Sequence, residues 1–226
     1  MVDLTLSDAD KARITAAVTA AERASSGEIV TIIAPRASHY HDIAQDWAII
    51  VAFLALAVYA SFTTFYLGWA EWALGDYGSA ISPQGLLLAT FCAVLIKYLG
   101  TWLILQSKPL RLWATPKWVK HNRVRAQAMM AFKVTTQQRT AAGTGILIYL
   151  SEDERMAEII AEEGIHAKVG DAVWQDAMAA LIANVRQGRV ADGMVAAIER
   201  VGAVLAQHFP HDPNDINELP DRVIEL

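Results

Sequence analysis

The chain has 226 residues, of which 54% are hydrophobic, and a formal net charge of −5; its mean hydropathy is +0.27. The acidic balance argues against a general nucleic-acid-binding protein. Cys92 is the single cysteine of the chain, so the chain can form no internal disulfide and has no pair of cysteines for a zinc or redox motif. The apolar residues are concentrated in two runs, which favours membrane spans over large soluble cores.

The N-terminal segment predicts a helix followed by a strand. Residues 1–25 contain no apolar export signal, so this segment is expected to stay in the cytoplasm. Ser7 and Asp10 resemble a capping box, and apolar residues with helical spacing follow them. The β-branched run Glu28–Ala34 ends at Pro35 and predicts a buried strand.

Two apolar runs of 21 residues each, Trp47–Leu67 and Gly85–Leu105, predict membrane-spanning helices. At about 1.5 Å per residue, each run reaches about 31 Å, close to the thickness of a bilayer's hydrocarbon core. The turn-rich segment 68–84 joins them, and tryptophans lie near the predicted boundaries, where amphipathic rings settle. The alternative is a buried helical pair in a soluble protein, which the length of the uncharged first run disfavours.

The distribution of basic residues predicts the orientation of this hairpin. Residues 106–139 contain eight Lys or Arg and no Asp or Glu, whereas segment 68–84 contains no Lys or Arg. Basic residues favour the cytoplasmic face, where anionic lipid headgroups stabilise them. The sequence therefore predicts a multi-pass protein of a bacterial inner membrane, with both termini in the cytoplasm and the lipid bilayer as one partner.

Lys97 lies near the middle of the second run and is the one charged residue in either predicted span. A lysine at this depth is costly, so it could mark a contact with an ion, a ligand or a partner. The preferred alternative is that it extends toward the basic side of the membrane, helped by hydroxyls such as Ser61, Thr63 or Thr64. Both interpretations remain open.

The remaining sequence predicts further helices and strands. A basic helix is expected over Val119–Gln138, buried strands over Thr144–Leu150 and Met156–Ala161, and helices from Asp171 and from Asp192. The strand before the hairpin and the first strand after it are joined by a helical crossover, so they should be parallel. The expected fold is a small α/β sandwich with the order α-β, membrane hairpin, α-β-β-α-α.

The predicted organisation is one interrupted domain. Residues 1–43 and 107–209 form its two parts, residues 44–106 form the hairpin, and residues 210–226 form an irregular acidic tail. Neither part has enough apolar faces to close a core alone. Folding of the domain and insertion of the hairpin are therefore expected to be coupled.

Ordered motifs in the soluble parts carry a family resemblance. They are SSGEIV at Ser25–Val30, TGILIYLSEDERMAEII at Thr144–Ile160, the Gly164 turn, the helix opened by Asp171, and RQGRVADGMVAAI at Arg186–Ile198. In this order they resemble the TPM domain family, and most of all its bacterial membrane-protein branch, in which two transmembrane helices are inserted in the domain. The resemblance implies an α/β sandwich. Members of the family are reported to bind divalent cations, to act as acid phosphatases, to assist assembly or repair, or to modulate membrane receptors.

Four carboxylates are candidates for a metal site. Glu152, Asp153 and Glu154 follow the second predicted strand, at the end where ligands of open α/β sheets gather. With Asp171 they could supply hard oxygen ligands for Ca²⁺ or Mg²⁺, in line with the cation binding that the resemblance implies. The alternative is a solvated acidic turn and an ordinary helix cap.

The sequence contains no nucleophile–base set, phosphate-binding loop or aspartyl-phosphatase motif. His39, His41 and Asp42 resemble part of a metallohydrolase cluster, but an interfacial loop explains them better. The expected function is a membrane-anchored module that binds another membrane protein, with no catalytic residues assigned. The alternative is a divalent-cation-dependent phosphatase at the cytoplasmic membrane face, which would use the acidic turn. A third hypothesis gives the function to the hairpin, with Lys97 at a helix–helix contact.

Overall fold

The computed structural model of the protein describes residues 6–74, 82–136, 144–211, 219 and 221–225. The chain divides into two units, one made of residues 1–38 and 117–226 and the other of residues 39–116. The elements in chain order are α1 (Asp8–Glu22), β1 (Glu28–Ala34), α2 (His41–Ser61), α3 (Thr63–Leu74), α4 (Pro83–Ile104), α5 (Lys108–Ala114), α6 (Lys117–Thr135), β2 (Gly145–Ser151), β3 (Met156–Ala161), α7 (Glu163–His166), α8 (Asp171–Val185), α9 (Val190–His208) and β4 (Ile224–Glu225).

The first unit is built on a four-stranded sheet with the order β3-β2-β1-β4. β1 and β2 are parallel over their whole length, from Glu28 opposite Gly145 to Ala34 opposite Ser151, which confirms the predicted crossover. β3 runs antiparallel beside β2. The two-residue strand β4 pairs in parallel with β1, within the segment that was predicted to be irregular.

Helices cover both faces of this sheet, and the alternation of strand side chains decides which face each residue occupies. Ile29 and Ile33 of β1 join the core formed with α1, α8 and α9. Val30 and Ile32 join the smaller core formed with α6. Every residue of β1 and β2 is buried, as expected for central strands that are covered on both faces. The predicted α/β sandwich is therefore confirmed.

The contact between α8 and α9 depends on a close approach at Gly193. A Cβ atom added to Gly193 would lie 2.8 Å from the carbonyl oxygen of Leu181 on α8. Real Cβ atoms do not approach a backbone oxygen so closely, and the backbone of a packed helix cannot move away without disturbing the core. Glycine at this position therefore sets the spacing of the two helices.

The second unit contains α2 and α4, which pack against each other, with α3 and α5. Both α2 and α4 are long and apolar enough to cross a membrane. α4 begins at Pro83, two residues before the predicted span, since Ser82 accepts a 3.1 Å hydrogen bond from the Gly85 N–H and Pro83 occupies the first turn. Lys97 is exposed on α4.

The first long helix differs from the predicted run Trp47–Leu67. α2 includes a polar first turn ahead of the apolar run, so it begins at His41. It ends at Ser61, and α3 begins at Thr63. At this break the hydroxyls of Ser61 and Thr63 donate to the carbonyl oxygens of Ala57 and Tyr59, at 2.9 and 3.0 Å. Such bonds compete with the helical pattern. An apolar run shows where a helix can enter a bilayer, but it does not mark where the helix begins and ends.

Candidate functional site

The acidic turn Glu152–Arg155 lies beyond the carboxyl ends of β1 and β2, where the sequence placed a metal site. The backbone N–H groups of Glu152 and Asp153 donate to the carbonyl oxygens of Ala34 and Pro35, each at 3.0 Å. Arg155 closes the turn with a positive φ of 50°. The turn is thus held against the end of β1, at the ligand position of open α/β sheets.

Glu154 is buried in this turn and acts as a structural acceptor. One carboxylate oxygen accepts a 3.1 Å hydrogen bond from the Ala37 N–H, and the other accepts a short hydrogen bond from the Ser151 hydroxyl. Burial of a carboxylate is tolerated when its oxygens have such donors. Both oxygens are already occupied, so Glu154 fits a role in joining β1 to the turn better than a role as a metal ligand.

The structure brings together only three of the four predicted ligands. Glu152, Asp153 and Glu154 share the turn, whereas Asp171 is the first residue of α8, and its side chain lies outside the described residues. The sequence predicts Asp171 as the cap of this helix, but the N-cap is Gly170, and Asp171 is the first helical residue. Within the described ranges, no group of three or more His, Cys, Asp or Glu side chains is placed to hold a metal ion. The Ca²⁺ or Mg²⁺ site stays a prediction.

The histidines at the start of α2 occupy a different arrangement from a metal cluster. The rings of His39 and His41 stack with centroids 5.8 Å apart. Nδ1 of His41 lies 3.1 Å from Nη1 of Arg111 on α5. A guanidinium can only donate, so His41 is engaged with a cation.

A carboxylate pocket that the sequence did not reveal lies at the opposite end of β1. Glu22, Glu28 and Asp221 line a cavity of about 240 Å³. Glu22 accepts a 2.9 Å hydrogen bond from the Ile29 N–H, and the Thr19 hydroxyl donates at 2.6 Å to Asp221. Glu28 could have indicated the pocket, because it is a charged residue at the start of a strand that is buried throughout. Asp221 could not, since no local pattern connects it to α1.

The pocket holds a proton at neutral pH. Burial raises the pKa of Glu22, and the neighbouring Asp221 and Glu28 carboxylates add to this effect, so that the pKa is about 8. The neutral carboxyl of Glu22 can then donate a hydrogen bond to Asp221. A neutral Glu22 avoids repulsion between the neighbouring carboxylates.

An apolar groove lies along the outer side of α8. It has a volume of about 530 Å³ and is lined by Trp174, Gln175, Met178, Ala179, Ile182, Ala183 and Arg186. Helical spacing puts Trp174 and Ile182 on the apolar side of this helix; both are half-buried, and Trp174 packs against the core that Ala177, Leu181 and Val185 join. The apolar stripe of α8 is wider than the face that the sheet and α9 cover.

The groove wall contains an unusual polar atom. Nε1 of Trp174 is buried and has no hydrogen-bond acceptor among the residues that the structure describes. A buried indole N–H usually finds an acceptor. The groove is therefore apolar, and one hydrogen-bond donor in its wall has no acceptor among the described residues. Exposed apolar patches often mark sites where a partner protein binds.

Comparisons with known proteins agree with the fold. Residues 119–204 match the model of the TPM domain. The chain is similar to the BA42 protein from the psychrophilic bacterium Bizionia argentinensis, solved by NMR, with a TM-score of 0.57, 19% identity, and coverage of 100% of this chain and 99% of that one. No curated protein matches the chain. The sequence match from α6 to α9 and the fold shared with BA42 support the resemblance of this chain to the TPM domain family.

Proposed function

We propose that this protein is a TPM domain anchored in a bacterial inner membrane by α2 and α4, and that it binds another membrane protein as an assembly or repair module. The exposed apolar surface of the two long helices carries the proposal. Phe53 is 70% exposed and Leu87 is 71% exposed, and the most apolar stretch of α4 has no buried residue. A core helix of a soluble protein would bury these side chains, whereas hydrocarbon solvates them.

Carbonate extraction of native membranes tests the anchor. The full-length protein should stay in the membrane pellet at high pH and leave it only with detergent. Recovery of the protein in the carbonate supernatant would overturn the proposal.

The orientation is tested by cysteine labelling in a Cys92→Ser background. A cysteine at Gly78, in the segment between the spans, should react with an impermeant maleimide added outside spheroplasts. A cysteine at Ser107 should react only after the membrane is opened. The reverse pattern would contradict the predicted cytoplasmic termini.

The α8 groove is the surface that supports partner binding. Trp174, Met178 and Ile182 are spaced four residues apart, so they form a strip about 12 Å long. This matches the apolar face of two turns of a partner helix. Arg186 at one end of the groove favours a partner helix with an acidic residue at the corresponding end.

Two alanine-to-arginine substitutions, one inside the groove and one outside it, test the groove. Ala183 and Ala16 are both exposed on helices of the first unit, but only Ala183 lines the groove. A photo-crosslinker at Ala179 should give one specific adduct in native membranes. Ala183→Arg should abolish that adduct, and Ala16→Arg should leave it unchanged. Equal yields from both variants would remove the groove from the proposal.

The position of the acidic turn favours a second candidate, a divalent-cation-dependent phosphatase. The turn lies at the carboxyl ends of two parallel strands, as ligand sites of open α/β sheets do. Because Glu154 is occupied by Ser151 and Ala37, the described residues do not make a three-carboxylate site there. Calorimetric titration with Ca²⁺ and Mg²⁺, and turnover of p-nitrophenyl phosphate by wild type but not by Asp153→Ala, would favour this candidate over the module.

A further inference from the structure

Arg111 is a buried cation with a neutral partner. It lies on α5, is 6% exposed, and its Nη1 is 3.1 Å from Nδ1 of His41. Across the described ranges Arg111 makes no ion pair with a carboxylate. A guanidinium has five N–H donors and keeps its charge at any pH of interest, so a buried one ordinarily has an anionic partner.

The contact fixes the protonation of His41. Because a guanidinium can only donate, Nδ1 of His41 must accept, and the proton of the neutral ring is therefore on Nε2. His41 is exposed, so this second N–H is available to a ligand. The corner between α2 and α5 thus presents further guanidinium donors, one imidazole donor and one positive charge.

The corner lies at one end of the proposed membrane helices. His41 is the first residue of α2, and α5 begins four residues after the last residue of α4. The indole N–H of Trp47 on α2 donates to the carbonyl oxygen of Ala114 at 3.0 Å, which joins the two helices beside the corner. Trp113 is exposed on α5. Exposed tryptophans at the ends of spans mark the level of the lipid headgroups.

We propose that Arg111 and His41 bind the phosphate group of an anionic lipid, a proposal that rests on the membrane anchor proposed above. Two oxygens of a phosphate can each accept a hydrogen bond from the same guanidinium. The negative charge of the phosphate also supplies the counter-ion that Arg111 lacks. Inorganic phosphate has the same oxygens, but the bilayer presents lipid phosphates at this level and at high local concentration. The occupant is therefore a lipid headgroup.

Native mass spectrometry of the full chain, released from nanodiscs of equal parts phosphatidylglycerol and phosphatidylcholine, tests the site. Wild type should retain phosphatidylglycerol in preference to phosphatidylcholine. Arg111→Met should reduce this preference by about tenfold, the effect of losing one strong charge-assisted contact. Lys117→Met is the matched control, because it removes an exposed positive charge six residues later in the chain and should change the preference less than about twofold.

Two further variants keep the test decisive where Arg111→Met fails to fold. Arg111→Lys keeps the charge but loses the planar fork, and His41→Phe loses the ring N–H, so each should lower the preference severalfold while the thermal unfolding midpoint is retained. An unchanged preference in both variants would overturn the proposal. So would equal losses in Arg111→Met and Lys117→Met, or displacement of the lipid by millimolar inorganic phosphate.

The membrane anchor and the lipid site fail in different ways. Protein that carbonate removes from membranes refutes the anchor, and the lipid site with it. Protein that stays in the membrane yet retains both lipids equally refutes the lipid site alone.

Discussion

The hydroxyl of Thr19 on α1 donates a 2.6 Å hydrogen bond to the carboxylate of Asp221, which lies 202 positions later in the chain. Two other contacts hold the same C-terminal segment. β4 pairs with β1, and Glu225 forms a 2.9 Å salt bridge with Lys11. The segment thereby covers the open edge of β1, which would otherwise present unpaired backbone groups.

Removal of the Thr19 hydroxyl should loosen this segment without unfolding the sheet. Thr19→Val keeps the shape of the side chain but loses the bond to Asp221, which should cost about 1 kcal/mol and raise local opening about fivefold. Amide hydrogen exchange at Ile224 and Glu225 should accelerate accordingly. Thr15→Val is the control, because Thr15 lies one turn earlier on α1 with no bond to Asp221. Equal acceleration in both variants would show that the hydroxyl does not hold the segment.

The proton on Glu22 in the carboxylate pocket should make stability fall as the pH rises. The pKa of Glu22 is near its ordinary value of 4.5 in the unfolded chain and is about 8 in the folded protein. The folded state therefore binds more protons between these values, so the free energy of unfolding is highest below about pH 4.5 and decreases up to about pH 8. Above about pH 8 Glu22 is charged, and no further loss from this residue is expected.

Glu22→Gln should remove that dependence on pH. Glutamine keeps the acceptor for the Ile29 N–H and a donor toward Asp221, but it does not ionise. After allowance for solvent screening at a partly exposed carboxyl, the variant should be about 1 kcal/mol more stable than wild type at pH 9. Near pH 5 the two proteins should unfold at about the same temperature. Parallel profiles of melting temperature against pH would contradict the raised pKa of Glu22.

The sequence was informative where the structure follows from local patterns. β1 and β2 are continuous apolar runs bounded by turn residues, and the crossover between them required a parallel pair. The Thr19–Asp221 contact could not be predicted, because it joins two segments with no shared pattern. The α8 groove was missed for another reason. Helical spacing shows that Trp174 and Ile182 are on the apolar side, but the width of the covered face depends on how closely α9 and the sheet approach.

Glu154 should contribute to stability with or without a metal. Glu154→Ala would leave the Ala37 N–H and the Ser151 hydroxyl without their acceptor inside the turn, which should cost about 2 kcal/mol. For a chain of this size, the melting temperature should fall by about 4–8 °C. The control is Glu199→Ala, since Glu199 is exposed on α9 and its loss should be nearly neutral. Stabilisation of the wild type by Ca²⁺ that is lost in Glu154→Ala would instead assign this carboxylate to a cation site.

One methyl group added at Gly193 should disturb the packing of α9 against α8. In Gly193→Ala the new Cβ would meet the Leu181 carbonyl oxygen at 2.8 Å and the Asn184 Cβ at 3.2 Å, so α9 must move away from α8. Overpacking of this kind costs about 1–3 kcal/mol, and the melting temperature of the full chain in detergent should fall by several degrees. Gly170→Ala is the matched control, because nothing lies within 4 Å of its added Cβ, and its backbone is extended at φ −70° and ψ 155°. That variant should lose less than about 1 kcal/mol, the cost of alanine in place of glycine at the N-cap of α8. A Gly193→Ala protein as stable as the Gly170→Ala protein would mean that α8 and α9 have room to separate, and that their spacing does not depend on the glycine.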